Sequence, residues 1–411
     1  MRKAKLIITV LSLMTGMFLA MTVSAKEPRV SIIQTKTGDY QLLVEGKPYI
    51  VHGVCYSPIP IGQNYEYNWW GDPSKPWLNE DGPMMKEMGV NTIRIYQPGE
   101  NPAEVKELMT AAYEQFGIRF IMTHYLGFWE YPAAQYGDEA FQERTLQDVI
   151  KMVNEYKDEP GVLMWCLGNE NNFSFGPQKV NPWTTKEIEA MSDPYKKRIA
   201  KAKIYYQFIE KVAKAIKKID PDHPIMMGNG DLADVDIAKR YCPHVDVLGA
   251  TVYRGKSFGN LFKECEIKWG KPIIFSEFGC DDYDACKQKE DQEIQAVFLK
   301  NQWTEIARNF PGNPDGTGNC LGGCVFEWND EWWKADESNK ESWSVHDTSG
   351  QWCHGAYYFD IKVEGGMNMN EEWWGIVSLS PELDQWGNNK RIPKKSYYAL
   401  QEMWLKDAAN Q

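Results

Sequence analysis

From residue 49 onward, short β-branched and aromatic runs alternate with longer runs of helical periodicity. Eight short runs read as strands: 49–54, 92–96, 120–123, 162–167, 225–227, 247–252, 273–275 and 323–326. Between and after them, 84–88, 103–113, 141–156, 195–218, 234–241, 261–269, 290–309 and 396–406 read as helices. Strands that each lead into a helix imply βα units and a parallel sheet. Eight such units are what a closed barrel requires, so the predicted fold is α/β, a (β/α)8 TIM barrel. An open doubly wound sheet would carry a Gly-rich phosphate turn after an early strand, and none occurs. Ahead of the barrel, 30–33 and 40–44 read as a short N-terminal β-hairpin that plugs it.

Three connections are long: 124–140, 171–194 and 329–395. Each follows a strand, so in a barrel each emerges on the C-terminal face, where active sites are built. The last is a large insertion after strand 8 and holds Trp332, Trp333, Trp343, Trp352, Trp373, Trp374 and Trp386. A structureless loop of that length is improbable, and a small subdomain capping the barrel mouth is expected.

The first 25 residues read differently. Arg2, Lys3 and Lys5 precede an apolar stretch from Leu6 to Leu19 and a small-residue Val23-Ser24-Ala25 site. This is the pattern of a signal peptide, too short in its apolar part for a membrane span. The expected organisation is therefore a signal peptide over 1–25 and one catalytic domain over 26–411, secreted or periplasmic, with no membrane contact after cleavage. The formal net charge of −12 becomes −15 once those three basic residues are removed. Such a surface repels nucleic acid, which is excluded as a partner.

Nine cysteines are present, and export permits disulfides. Cys280 with Cys286 is placed to close a small loop, whereas Cys166 and Cys324 lie in buried-strand runs and read as apolar filler. Cys320 and Cys324 lack a second ligand pair for zinc. Asp281, Asp282 and Asp284 have the composition of a calcium loop but read more simply as a solvated one. No metal and no cofactor is expected.

The chemistry concentrates at two strand ends. Trp165-Cys166-Leu167-Gly168-Asn169-Glu170 closes strand four, and Ile274-Phe275-Ser276-Glu277-Phe278-Gly279 closes strand seven. Either Glu alone would read as a surface residue or a structural ion pair. A pair at the C-terminal ends of two strands of one barrel reads as catalytic. Retaining glycoside hydrolysis needs one carboxyl group to protonate the leaving oxygen and another, about 5–5.5 Å away, to attack the anomeric carbon. Mutual repulsion separates their pKa values, so one stays protonated while the other is ionised.

On these motifs the chain resembles clan A of the glycoside hydrolases, the retaining (β/α)8 enzymes that include families 2 and 5. The resemblance implies Glu170 as catalytic acid/base and Glu277 as nucleophile. It further implies that Asn169 bonds the sugar 2-hydroxyl, that Arg94 keeps the nucleophile ionised, and that Tyr253 hydrogen-bonds it. His124 matches a frequent active-site histidine and Trp328 the sugar-stacking platform. Thr251-Val252-Tyr253 departs from the His-x-Tyr common in family 5, which favours another branch. Glu327 reads as a substrate hydrogen-bonder or a structural pair. Trp69 and Trp129, with Tyr65, Tyr67 and Trp70, are expected at the mouth, lining subsites for several rings.

The function expected is retaining hydrolysis of a β-linked polysaccharide or oligosaccharide, a β-glucan or β-mannan, in endo mode. Alternatives are an exo-acting β-galactosidase or β-glucosidase, a transglycosylase, and, in another class, a non-catalytic carbohydrate-binding barrel.

Overall fold

A computed structural model describes residues 29–129, 132–176, 181–285, 287–349 and 370–409. Segment 1–25, read above as a signal peptide, and Cys286, Trp352 and Cys353 lie outside the described residues. Among the described residues, eight parallel strands close into a barrel: β1 (Val51–Cys55), β2 (Thr92–Ile95), β3 (Arg119–His124), β4 (Val162–Leu167), β5 (Ile225–Gly230), β6 (Val247–Val252), β7 (Ile273–Phe278) and β8 (Cys320–Val325). Successive strands are neighbours, and β8 pairs with β1 to complete the ring. The helices that follow are α1 (Gly82–Met88), α2 (Pro102–Ala111), α3 (Glu139–Tyr156), α4 (Pro194–Ile219), α5 (Val235–Tyr241), α6 (Leu261–Lys268), α7 (Gln292–Arg308) and α8 (Lys395–Ala409).

Strand alternation sorts the core into two shells. Phe120, Met122, Trp165, Leu167, Ile273 and Phe275 point outward and pack under the helices. Ile121, Met164, Cys166, Ile274 and Cys324 point inward and fill the barrel. Each large apolar side chain so buried contributes about 1.5–3 kcal/mol. Cys166 and Cys324 are buried free thiols, the filler role their setting suggested. Several helices begin on side-chain caps: Asn101, Asp138, Asp193 and Asp291 each accept a first-turn backbone N–H, a bond type that stabilises a helix by about 1 kcal/mol.

The hairpin Val30–Gln34/Tyr40–Val44 forms ahead of the barrel. Between β8 and α8, the described residues include a second hairpin, β9 (Val377–Leu383) and β10 (Asn389–Pro393). It is tied to the barrel by buried charge. Arg391 donates to Asp81 at 3.0 and 3.2 Å, and Lys394 lies 3.0 Å from Asp282 and 2.8 Å from Asp330, with all three side chains essentially inaccessible. The three acids read from sequence as one loop cluster are thereby separated. Asp281 accepts from the Asn370 backbone, Asp282 faces Lys394, and Asp284 accepts from Lys287.

Candidate active site

The ends of β2 and β6 converge on Glu277. It sits in the last turn of β7, where the pairing with β6 slips by one residue, and is 5% exposed. Its Oε1 accepts from Arg94 Nη1 at 2.8 Å and from the Tyr96 hydroxyl at 2.8 Å, and its Oε2 accepts from the Tyr253 hydroxyl at 2.6 Å. Arg94 is wholly buried and uses its second arm to donate to Asn169 Oδ1 at 2.7 Å. One guanidinium therefore fixes both strand-end motifs. Charge-assisted bonds of this kind are short and strong, and they hold the carboxylate in one position. Burial, followed by the Glu277 charge, pushes the Tyr253 hydroxyl well above its usual range, so it remains a donor.

Glu170 is held quite differently. After β4, Gly168 takes φ +80°, and a Cβ there would meet the Tyr205 hydroxyl at 2.6 Å and Asn171 Oδ1 at 2.7 Å. Gly228 on β5 is needed for the same reason, because its Cβ would lie 2.2 Å from the Gly168 carbonyl. Glu170 itself has φ +60°, a left-handed conformation that costs a non-glycine residue about 1–2 kcal/mol. Asn171, fully buried, offsets that strain. Its Oδ1 accepts the Asn169 N–H at 2.7 Å, while its Nδ2 donates to the Tyr125 carbonyl at 2.9 Å and the Tyr136 hydroxyl at 2.7 Å. Trp129 Nε1 donates to the Asn169 carbonyl at 3.1 Å. The backbone is clamped, yet no hydrogen bond reaches the Glu170 carboxyl among the described residues. Burial first, and then the charges of Glu277 and Glu371, hold that carboxyl well above the carboxylate range, with Arg94 and Lys334 opposing them.

The remaining expected residues divide. Arg94 and Tyr253 meet at Glu277, and Asn169 is tied to them through Arg94. His124 is half-buried at the end of β3; its Nδ1 accepts the Leu126 N–H at 3.0 Å and burial lowers its pKa to about 4, so its hydrogen is on Nε2. Trp129 is half-exposed beside Asn169, in the position of a platform. Trp328 is not. It is fully buried, with its indole N–H donating to Asp81 at 2.8 Å and its ring packed against Tyr397. It braces the barrel against the second hairpin, and the platform expectation is corrected. Trp69 is corrected likewise: it is 7% exposed, stacked at 4.0 Å on Trp70 and edge-on to Tyr56, and is loop core.

Glu327 is 2% exposed and belongs to a group the sequence reading did not assemble. Its carboxyl is pushed well up by burial and then by Glu331, against Lys334. Lys334 lies 3.6 Å from Glu331 and 3.8 Å from Glu371. Burial works against its ammonium, but the surrounding carboxylates outweigh it and the pKa rises. Tyr96 was also missed, although the pattern contained it: Arg94 and Tyr96 are two apart on one strand and so share a face.

Barrel and strand-end carboxyl groups together place the chain in clan A of the retaining glycoside hydrolases. The model of the glycoside hydrolase 72 family, described as glucanosyltransferase, matches residues 22–308, and the chain belongs to that family. Other similarities are more distant. A putative β-glucuronidase of Formosa agariphila is 28% identical over 150 residues, 36% of this chain and 13% of that protein. The β-glucuronidase of Felis catus is 23% identical over 61% of this chain and 34% of its own length. The chain thus spans 13% and 34% of the length of these two curated relatives. Among solved structures, Gas2p of Saccharomyces cerevisiae, in complex with laminaritetraose and laminaripentaose, superposes with a TM-score of 0.54 at 15% identity, over 92% of this chain and 68% of that one. At that identity the match concerns the fold.

Proposed function

We propose that the protein is an exported retaining enzyme that cleaves a β-linked glucan within its chain. Glu277 acts as nucleophile and Glu170 as acid/base. One observation supports this reading: Glu277 receives three hydrogen bonds, one of them from a guanidinium, while the Glu170 carboxyl receives none among the described residues and its pKa is held well up by burial and by the Glu277 charge. That is the division of labour double displacement requires.

In the first step Glu277 attacks the anomeric carbon, the glycosidic C–O bond breaks, and Glu170 gives its proton to the leaving oxygen. In the second, Glu170 takes the proton of an incoming hydroxyl, whose oxygen displaces Glu277 and restores the free carboxylate. If the incoming hydroxyl belongs to another sugar, the product is a longer chain; if it belongs to water, the product is a hydrolysed one. Membership of the glucanosyltransferase family favours transfer. The half-exposed Trp129 supports an extended cleft, and Asn169, held in place by the buried Arg94, is assigned to the sugar 2-hydroxyl. His124 and Glu327 are further candidates for substrate contact.

The test is incubation with β-1,3- and β-1,4-gluco-oligosaccharides and manno-oligosaccharides, with product length and anomer followed by NMR. New chain ends of β configuration, including products longer than the substrate, are expected. An α anomer formed first, or no reaction on any β-glycan, overturns the proposal.

A further inference from the structure

The loop after β8 carries polar atoms that the proposed catalytic pair does not use. Glu327 and Glu331 are 2% and 6% exposed; among the described residues Glu327 Oε1 accepts no hydrogen bond, and Glu331 Oε2 has only the Lys334 ammonium, 3.6 Å away. The indole N–H groups of Trp333 and Trp374, also buried, donate to no acceptor among the described residues. Native proteins rarely bury such atoms unmet, and a cluster of them points to a ligand that supplies the missing partners. The group faces the catalytic pair. The charges of Lys334 and Glu371 act on Glu170, that of Glu331 is felt with that of Glu277 at Tyr125, and Trp374 packs edge-on at 4.5 Å against Tyr253.

We propose that Glu327, Glu331, Glu371 and Lys334 form a hydroxyl-reading subsite beside the reacting ring, selective for a neutral sugar over a uronic acid. It rests on Glu170 and Glu277 being the catalytic pair. Buried acceptors next to buried N–H donors suit vicinal hydroxyls, each of which donates to one group and accepts from another. A uronate carboxylate has no hydrogen to give. It leaves Glu327 Oε1 unmet and adds a fourth acid where three already surround one ammonium. Sites built to bond hydroxyls reject analogues lacking them far more strongly than apolar pockets discriminate by size.

The probe is a β-glucotetraose compared with the same oligosaccharide oxidised to the carboxylate at C6, titrated calorimetrically into the Glu277→Gln variant. The neutral probe should bind at least about tenfold more tightly. Adding Glu327→Ala or Glu331→Ala should weaken neutral binding about tenfold and shrink the preference. Glu371→Ala, at a more exposed side chain, should act in the same direction and keeps the test open if the buried variants fail to fold. Equal or tighter binding of the oxidised probe overturns the subsite and makes Lys334 a carboxylate reader. Folded cluster variants that bind and discriminate as their parent does also overturn it. If the native enzyme acts on no β-glycan, the catalytic reading falls and the subsite with it; if it acts and the variants change nothing, only the subsite falls.

Discussion

The two strand-end carboxyl groups lie in one mouth, yet the chain treats them in opposite ways. At Glu277 the side chain is fixed: Arg94, Tyr96 and Tyr253 converge on it from β2 and from the residues just past β2 and β6. At Glu170 the backbone is fixed instead. Asn171 and Trp129 bind the Asn169 peptide on either side, and the carboxyl accepts no hydrogen bond among the described residues. A nucleophile needs a defined position and a stable charge, which hydrogen bonds to the carboxylate supply. An acid/base must give up and regain a proton in each cycle, and bonds favouring either state would slow one half of it.

If that contrast is right, removing the carboxylate at the fixed side has the largest effect. Glu277→Gln should lower kcat about 10⁴-fold or more with the melting temperature little changed, since an amide cannot form the glycosyl ester. A variant retaining a tenth of native turnover would break the assignment. Glu170→Ala should be selective where Glu277→Gln is total. Activated aryl β-glycosides, which need no protonation, should still form the glycosyl-enzyme and then stall, and azide should release it as the β-glycosyl azide. An α-azide, or a folded variant that azide does not rescue, would remove Glu170 from the role.

The hydroxyls around Glu277 come next in size. Tyr96→Phe and Tyr253→Phe each remove one donor and leave Arg94 in place, so losses of about 10–100-fold in kcat are expected, in line with one charge-assisted hydrogen bond of roughly 1.5–3 kcal/mol. The KM should move less than kcat if the bonds shape the nucleophile rather than the substrate. The double variant tests whether the two act as a unit, which would show as a loss smaller than the product of the single losses.

The same contrast explains what was legible in the sequence. The barrel and both carboxyl groups were, because each motif is a polar residue ending an apolar run, and strand ends are local features. Strands β5 and β7 run further than the apolar pattern suggested, to Gly230 and Phe278, because their last residues face the polar mouth. Tyr96 was within reach through strand parity. Asn171, Glu331, Lys334 and Glu371 were not, since they lie in connections where no period marks the inward face and their partners are remote in sequence. Trp328 and Trp69 failed for the converse reason: an aromatic near a strand end looks the same whether it floors a sugar site or, as here, packs beneath one.

The smallest effect sharpens the comparison most, because it touches neither carboxyl group. The alkaline limb of kcat/KM is expected to report the loss of the Glu170 proton. Lys334 opposes the upward push of burial, Glu277 and Glu371 on that proton. Removing the ammonium in Lys334→Met therefore raises the Glu170 pKa and moves the limb to higher pH, by about half a unit to one unit for a charge acting through the mouth. Lys334 stays charged throughout that range, its pKa being raised by its acidic neighbours, so its full charge is lost on substitution. Glu371→Gln should move the limb the other way, to lower pH, because it removes a negative charge that holds the proton on. Its shift should be the larger, since the Glu371 charge acts on Glu170 more strongly than that of Lys334. Opposite shifts of unequal size, measured on one substrate at constant ionic strength, would tie the limb to Glu170. Shifts of the same sign, or none, would mean that another group titrates there.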